Sequence, residues 1–323
     1  MKHLFIAERK SFKAEKDFQK VLSEIKECFT DEEKDEYKIH ITRYSRDSIA
    51  VIDRFISQFD ENETVRVYAV GGDGILFDCL NGMVVFPNAE LACIPYGEET
   101  DFIRAYGHDS SKDFRDVKQM LDAPCQLIDV IHCGANYAMN NISFGLETQS
   151  AFLAERLFER TEWTKKFAST MYILCAIRVA FDKKIINQYF QLTIDGEDMS
   201  GNYGNISIGN SPSIGNGIIC NPYGKVNDGL LNAVFLRPSS PIKVLTAIDL
   251  FTKGLFEKSD LIISKKFKEM EIRSDEEIKI SLDYKKFYGK ELKIKLMPLA
   301  VKFVVPNGLE LFDYSQTINK PSR

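Results

Sequence analysis

The chain of 323 residues is short of most features that would settle its class at once. Its seven cysteines, Cys28, Cys79, Cys93, Cys125, Cys133, Cys175 and Cys220, are odd in number and show no Cys-x-x-Cys spacing. That excludes a disulfide framework and a zinc-ribbon type of site, and suits a reducing compartment. The four histidines, His3, His40, His108 and His132, never approach metal-ligand spacing. No apolar run is long: residues 171–181 are broken by Arg178 and fall short of the roughly 20 residues that span a bilayer. The opening Met1-Lys2-His3-Leu4-Phe5-Ile6-Ala7-Glu8 has too short an apolar stretch for a secretory signal and reads as a buried strand. Basic residues are not in excess, with 42 Lys plus Arg against 47 Asp plus Glu and a net charge of −5, which argues against a nucleic-acid partner. With 19 Gly, 10 Pro and 44% hydrophobic residues, the composition is that of an ordinary globular protein, expected to be cytoplasmic and soluble or peripheral to a membrane.

At about 150 residues per domain the length suggests two domains. The first third alternates short apolar runs with segments of 3.6-residue period. Residues 4–7, 38–41 and 65–70 are strand-like, and 13–28 and 47–59 place Phe18, Val21, Leu22, Ile25 and then Ile49, Ile52, Phe55, Ile56 along helical stripes. A βαβαβ order of this kind folds into a parallel sheet covered by helices. From about Cys125 the pattern changes to short strands at 137–143, 189–194, 204–208, 230–236, 278–282 and 292–296, interrupted by a helical stretch at 149–181. The expected fold class is an α/β domain with a three-layer parallel sheet, followed by an antiparallel β-sandwich, the two packed around a cleft.

The sharpest local pattern is Val67-Tyr68-Ala69-Val70-Gly71-Gly72-Asp73-Gly74-Ile75, an apolar strand running into glycines around an aspartate. Glycines let backbone approach a ligand closely, and successive N–H groups at such a turn surround a phosphate. The acid is then placed to hold Mg²⁺ or take a proton. The plain structural alternative is a tight strand-to-helix turn with a solvated Asp. The pattern is neither the Walker loop nor the dinucleotide G-x-G-x-x-G. A second run, Ile94-Pro95-Tyr96-Gly97-Glu98-Glu99-Thr100-Asp101-Phe102-Ile103-Arg104, follows the next strand, so in a parallel sheet both loops leave the same carboxyl edge. For Asp101 the structural alternative is a helix cap.

Together these segments resemble the catalytic domain of the diacylglycerol kinase and sphingosine kinase-like bacterial lipid kinases, whose motifs read GGDGT and P-x-G-T-x-N-D-F-A-R. The resemblance extends along the chain. Residues 137–145 are similar to the family's F-x-N-x-x-x-x-G segment, residues 221–231 to P-x-A-x-x-D-D-G-L-L, and Leu282-Asp283 to the start of a D-G-E turn. It implies ATP in the cleft, Mg²⁺, and a lipid alcohol as phosphoryl acceptor. It also implies a nucleotide-binding domain at 1–124, completed by about 299–323, and a lipid-substrate sandwich at 125–298. Carried over by position, Gly71, Gly72 and Gly74 meet the phosphates with Thr42, Gly97 and Thr100, while Asp73, Asp101 and Asp283 are the candidate catalytic acids. Asp228 matches an acid associated with a structural Mg²⁺.

Five departures set this chain apart. Ile75 stands for a Thr, Glu98 for another Thr and Thr100 for an Asn, and the family's opening Asn-Pro-x-Ser-Gly loop has no counterpart at residues 6–11. A carboxylate facing phosphates repels them unless a cation intervenes. Fifth, the D-G-E glutamate, a candidate base, falls on Lys285, which removes a proton acceptor. A slipped alignment would bring in Glu276 or Glu277, but the strand pattern before Asp283 opposes it. The D-G-E string at Asp195-Gly196-Glu197 reads as a hairpin turn.

The lysines at 265, 266, 268, 285, 286, 290, 293 and 295 could meet anionic lipid, although a solvated sheet face is the preferred reading. Phe152, Leu153, Leu157, Phe158, Trp163 and Phe167 suit an acyl pocket or plain core packing alike. The function expected is transfer of the γ-phosphoryl group of ATP to a lipid hydroxyl, of diacylglycerol type, in an impaired site. The alternative is a catalytically silent pseudokinase that binds nucleotide or lipid. An NAD kinase shares the glycine loop, but the Asp101-Phe102 and 228–231 segments favour the lipid branch. Peripheral membrane contact and a homodimer both stay open at this stage.

Overall fold

The computed structural model describes residues 1–96, 100–161, 167–215 and 217–318. Strands β1 (Lys2–Ala7), β2 (Tyr37–Ile41), β3 (Val65–Gly71) and β4 (Ala89–Pro95) form a parallel sheet in the order β2-β1-β3-β4. β3 is buried along its whole length, as its near-continuous apolar sequence requires when both faces are covered. Its one charge, Arg66, is buried and satisfied by Glu90 at 2.7 Å and by the carbonyls of Met120 and Leu121. Helix α1 (Glu15–Glu27) buries the stripe expected of it, α2 (Asp47–Ile56) buries Ile52, Phe55 and Ile56 and half-buries Ile49, and α3 (Asp73–Met83) starts directly after the second glycine of the loop. The short α4 (Val117–Asp122) is capped by Asp116 and leads into the second half of the chain.

That half begins with β5 (Cys125–Cys133), β6 (Asn136–Ala138) and β7 (Asn141–Gly145), then α5 (Leu146–Arg160), α6 (Ala168–Ala180) and α7 (Lys183–Ile186). β8 (Gln188–Ile194), β9 (Glu197–Asp198), β10 (Gly201–Tyr203), β11 (Asn205–Gly209) and β12 (Leu231–Leu236) follow. Then come α8 (Pro241–Thr252), β13 (Ile262–Phe267), β14 (Glu269–Leu282), β15 (Lys285–Val304) and α9 (Ser315–Ile318). The strands run antiparallel in the order β13-β12-β11-β7-β14. β14 shifts register between Arg273 and Ile278, so its first part pairs with β8 and its last part with β7. Alternate residues meet in the sandwich core: Ile142 and Phe144, Ile206 and Ile208, Ala233 and Phe235, Phe190 and Leu192, Ile278 and Ile280.

The α/β-plus-sandwich class expected from the sequence is the one observed, with local differences. The strand expected at 137–143 is divided between β6 and β7, and the helix expected at 149–181 is two helices, α5 and α6. The segments at 278–282 and 292–296 are parts of much longer strands. The polar run Arg273-Ser274-Asp275-Glu276-Glu277, then Gly289 and Pro298, hide the two-residue period there. Helix α8 was not expected. Lysines of the lysine-rich segments meet acids: Lys293 and its cross-strand partner Glu271 at 2.8 Å and Lys295 and Glu269 at 2.7 Å, while Lys265 meets Glu197 and Lys286 meets Glu155 on α5. Asp195-Gly196 is a hairpin turn with both residues at positive φ, joining β8 and β9.

β15 ties the halves together. It begins as the partner of β14, shifts register against β5 between Met297 and Val301, and ends parallel to β4 at Lys302 and Phe303. The buried carboxylate of Asp129 on β5 holds the shift, accepting the Leu299 N–H at 2.8 Å and, from the turn before β12, the Gly229 N–H at 2.8 Å. Replacing Asp129 with Ala strands both donors and is expected to cost about 3 kcal/mol in urea unfolding. Lys293→Ala, which removes an exposed pair, should leave the midpoint near wild type.

Candidate active site

β3 and β4 pair in register as far as Gly71 and Pro95, so the loops that follow them leave the same sheet edge side by side. A Cβ on Gly71 would fall 2.8 Å from the Ile75 Cγ2 and 3.0 Å from the Ser11 Oγ, which leaves room for glycine alone. The Gly71 carbonyl accepts the Tyr96 N–H at 3.0 Å, and the Asp73 Oδ2 accepts the Asp101 N–H at 2.7 Å. Asp73 and Asp101 are therefore neighbours, both buried, with Thr100 buried beside them. Gly72 caps α3, whose first residues are Asp73 and Gly74, so the positive end of the helix opens at this loop. Thr42, half-buried, sits at the same sheet edge after β2, two strands from β3 and so roughly 10 Å away. Gly97 and Glu98 lie outside the described residues.

From the opposite side the β14–β15 turn descends onto this edge. Asp283 and Tyr284, at φ 40° and 67°, form a two-residue turn with both residues left-handed, a conformation that glycine takes more cheaply than tyrosine. The Tyr284 hydroxyl donates to the Asp101 Oδ2 at 2.5 Å and accepts the Gly215 N–H at 2.6 Å. The Asp101 Oδ1 accepts the Gly217 N–H at 2.6 Å and lies 3.5 Å from the Arg104 Nε. Burial and the neighbouring Asp101 and Asp73 carboxylates push the Tyr284 phenol well above its usual pKa, which keeps it a donor. Lys285, next in the chain, places its ammonium 3.3 Å from the Asp78 carboxylate on α3, whose other oxygen accepts the Arg46 N–H at 3.0 Å. The same ammonium would lie 3.8 Å from a Cβ built on Gly74, so it stands over the first turn of α3.

Two of the expected site residues find partners away from the glycine loop. Asp283, expected among the catalytic acids, turns into the sandwich, where its carboxylate accepts the N–H groups of Met139, Asn140 and Asn141 at 2.7, 3.0 and 2.8 Å. It braces the β6–β7 link, because only an acceptor with two oxygens can serve donors converging from one turn. Asp228, expected at a metal, accepts the Leu230 N–H at 3.1 Å within its own turn and pairs with the Lys266 ammonium at 3.3 Å. Among the described residues no group of three His, Cys, Asp or Glu is placed to hold a metal ion. Asp78, Asp129 and Tyr284 went unnoticed in the sequence. A visible sign did exist for the first two, each being a lone acid inside an apolar run, which demands a buried partner.

Residues 2–133 match the family described as Diacylglycerol kinase catalytic domain, and residues 141–305 match the YegS C-terminal NAD kinase beta sandwich-like domain. The chain belongs to the family in which these two domains follow one another. A protein of Alcanivorax borkumensis named "Probable lipid kinase YegS-like" is 24% identical over 266 residues, covering 80% of this chain and 85% of that one. One of the same name from Pseudomonas putida is 25% identical over 251 residues, covering 77% and 80%. A crystal structure of a diacylglycerol kinase from Bacillus anthracis superposes with a TM-score of 0.68 at 20% identity, covering 96% of this chain and 98% of that one, which shows a shared fold.

Burial raises the Asp283 carboxyl to about 6, against the pull of its three N–H donors. An acid whose folded pKa lies above its unfolded value of 3.8 binds its proton more tightly in the native state. Its contribution to stability is thus full below about pH 4 and is lost as pH rises through about 6. Unfolding free energies of wild type and Asp283→Asn, measured from pH 4 to 7, should differ by an amount that changes by up to about 3 kcal/mol across that window.

Proposed function

We propose that this chain is an impaired lipid kinase, which holds ATP at the 71–74 loop and passes its γ-phosphoryl group slowly to a lipid hydroxyl. The observation that carries this reading is the junction of Asp73 with Asp101 at the carboxyl ends of adjacent parallel strands, below the Lys285 ammonium. The backbone at the start of α3 supplies dipole and N–H donors for phosphate oxygens, and Lys285 adds a fixed positive charge on the same side. Phosphoryl transfer asks chiefly for positioning and charge neutralisation, so a site built this way retains part of the catalysis. Among the described residues it has no base at hand. Asp101 already accepts from Tyr284 and Gly217, Asp73 from the Asp101 N–H, and the position of the family's glutamate carries the Lys285 ammonium.

Magnesium is a different matter. A divalent cation takes several converging carboxylate or carbonyl oxygens, whereas Asp78 and Asp228 face the lysines Lys285 and Lys266 and Asp283 faces backbone donors. The described donor set does not fit Mg²⁺ as it stands, and the reading needs no step through it. A second reading, the silent pseudokinase, is favoured by the enclosure of the Asp101 carboxylate between Tyr284, Gly217 and Arg104.

Calorimetric titration with ATP should show binding that persists in EDTA and that weakens about tenfold in Lys285→Gln, since a charge-assisted contact is lost. Absence of ATP binding would remove the kinase reading. Turnover separates the two readings that remain. The triple variant Tyr284→Gly, Lys285→Glu and Asp78→Asn restores the family's turn without setting two carboxylates face to face. Phosphate transfer to diacylglycerol, sphingoid and polyprenol acceptors, with NAD as a control acceptor, should rise at least about tenfold in it. A folded triple variant with no gain would leave the pseudokinase as the better account.

A further inference from the structure

Leu231 and Ala233 on β12 belong to the sandwich core, so by alternation Asn232 and Val234 face the other way. In the antiparallel ladder with β13, Asn232 lies opposite Lys266 and Val234 opposite Ser264, which makes these four residues one patch on the outer face of the sheet. Asn221 and Tyr223, from the segment that follows β11, and Phe256 and Glu257, from the turn after α8, complete the walls of a surface cavity of about 280 Å³. The segment after β11 also supplies Gly215 and Gly217 to the Asp101 site, yet cavity and site share no lining residue. The walls are braced. Phe256 is buried and meets the Tyr223 ring edge-to-face at 6.4 Å, the Tyr223 hydroxyl is hydrogen-bonded to Glu257, and the Asn221 Nδ2 donates to the Ser211 carbonyl at 3.1 Å. Asn232 is the exception. It is only 8% exposed, and among the described residues its Nδ2 has no hydrogen-bond partner. A buried amide donor left unmade is costly, and at the floor of a cavity it calls for an acceptor from outside the chain.

We propose that this cavity binds a neutral sugar, one pyranose ring in size. Its volume lies just below the range of about 300–1,000 Å³ that holds drug-sized ligands, which suits a single ring with its hydroxyls. Charge argues against an anion. Lys266 is paired with Asp228 at 3.3 Å and Lys265 with Glu197, while Glu257 adds a carboxylate, so a phosphate would meet repulsion with no lining cation left over for it. A wholly apolar ligand would leave the Asn232 donor as unmade as before. Sugar hydroxyls both donate and accept. One accepts from the Asn232 Nδ2, others donate to the Glu257 carboxylate and exchange with the Ser264 hydroxyl, and the C–H face of the ring packs on Tyr223 and Val234.

The test is saturation-transfer NMR of the full chain, without nucleotide, with glucose, galactose, mannose and N-acetylglucosamine, and with inorganic phosphate as the anionic control. At least one of the four sugars should bind saturably, and phosphate should not displace it. Tyr223→Ala, at an exposed side chain, should keep the wild-type melting temperature and weaken the binding of that sugar at least about tenfold. Asn232→Leu should weaken it about fivefold, the worth of one hydrogen bond. The same variant should melt at or above the wild-type temperature, because an apolar side chain of similar size replaces a donor that had no partner. A purely structural Asn232 would behave in the opposite way, and an Asn232→Leu protein that melts lower and binds sugar unchanged overturns the proposal. So does the failure of all four sugars to bind, or equal binding by wild type and Tyr223→Ala. Displacement of the sugar by phosphate overturns it too, since the cavity would then be an anion site. No arm of the experiment depends on ATP or phosphoryl transfer, and its failure leaves the proposed activity untouched.

Discussion

A strand of 20 residues that hydrogen-bonds to both halves of the molecule leaves them little freedom to choose their relation. β15 pairs first with β14 and last with β4, and the Asp129 carboxylate pins the bulge between them. The turn at the start of the strand is thereby carried to the edge where the glycine loop opens. Tyr284 and Lys285 reach Asp101 and Asp78 because the strand behind them is anchored in the first sheet. The site is thus a product of interdomain geometry more than of either loop.

Charge follows the same logic. Asp73, Asp78, Asp101, Asp129 and Asp283 are all buried, and each meets a protein donor: backbone N–H groups, a phenol or an ammonium. Buried carboxylates are tolerable only when satisfied in this way, since the desolvation of an isolated one exceeds what the fold could offset. Lys285 at Asp78 and Lys266 at Asp228 act as tethered cations, and the second of these acids is one that the family resemblance associates with a metal. A tethered cation is always present and needs no binding step, but it has no open coordination position, so it neutralises charge without offering a Lewis acid to a substrate.

Much of the fold was legible in the sequence, and for a clear reason. The strands and helices of the first sheet carry strong periodicity because both sheet faces are covered, so Val65–Gly71 and its neighbours read as continuous apolar runs. The sandwich was legible in outline only. β14 and β15 appear as fragments because one of their faces is solvated and lysine-rich, and because a bulge interrupts the alternation in each. The glycine loop and Asp101 declared themselves by composition, and the loops proved adjacent because adjacent parallel strands deliver them to one edge.

What the sequence determined alone was the chemistry on offer: the Gly71-Gly72-Asp73-Gly74 loop, the Asp101 segment, and a Lys285 where the resemblance expects an acid. Local pattern suffices there, since close backbone approach and charge are properties of the residues themselves. Tertiary structure decided how those groups are spent. That Asp283 faces three backbone donors in the sandwich, that Tyr284 covers Asp101, and that Lys285 finds Asp78 depend on contacts between residues 142 to 207 positions apart. A sequence records no such pairing. It arises when a long strand carries a turn from one domain into the cleft of the other.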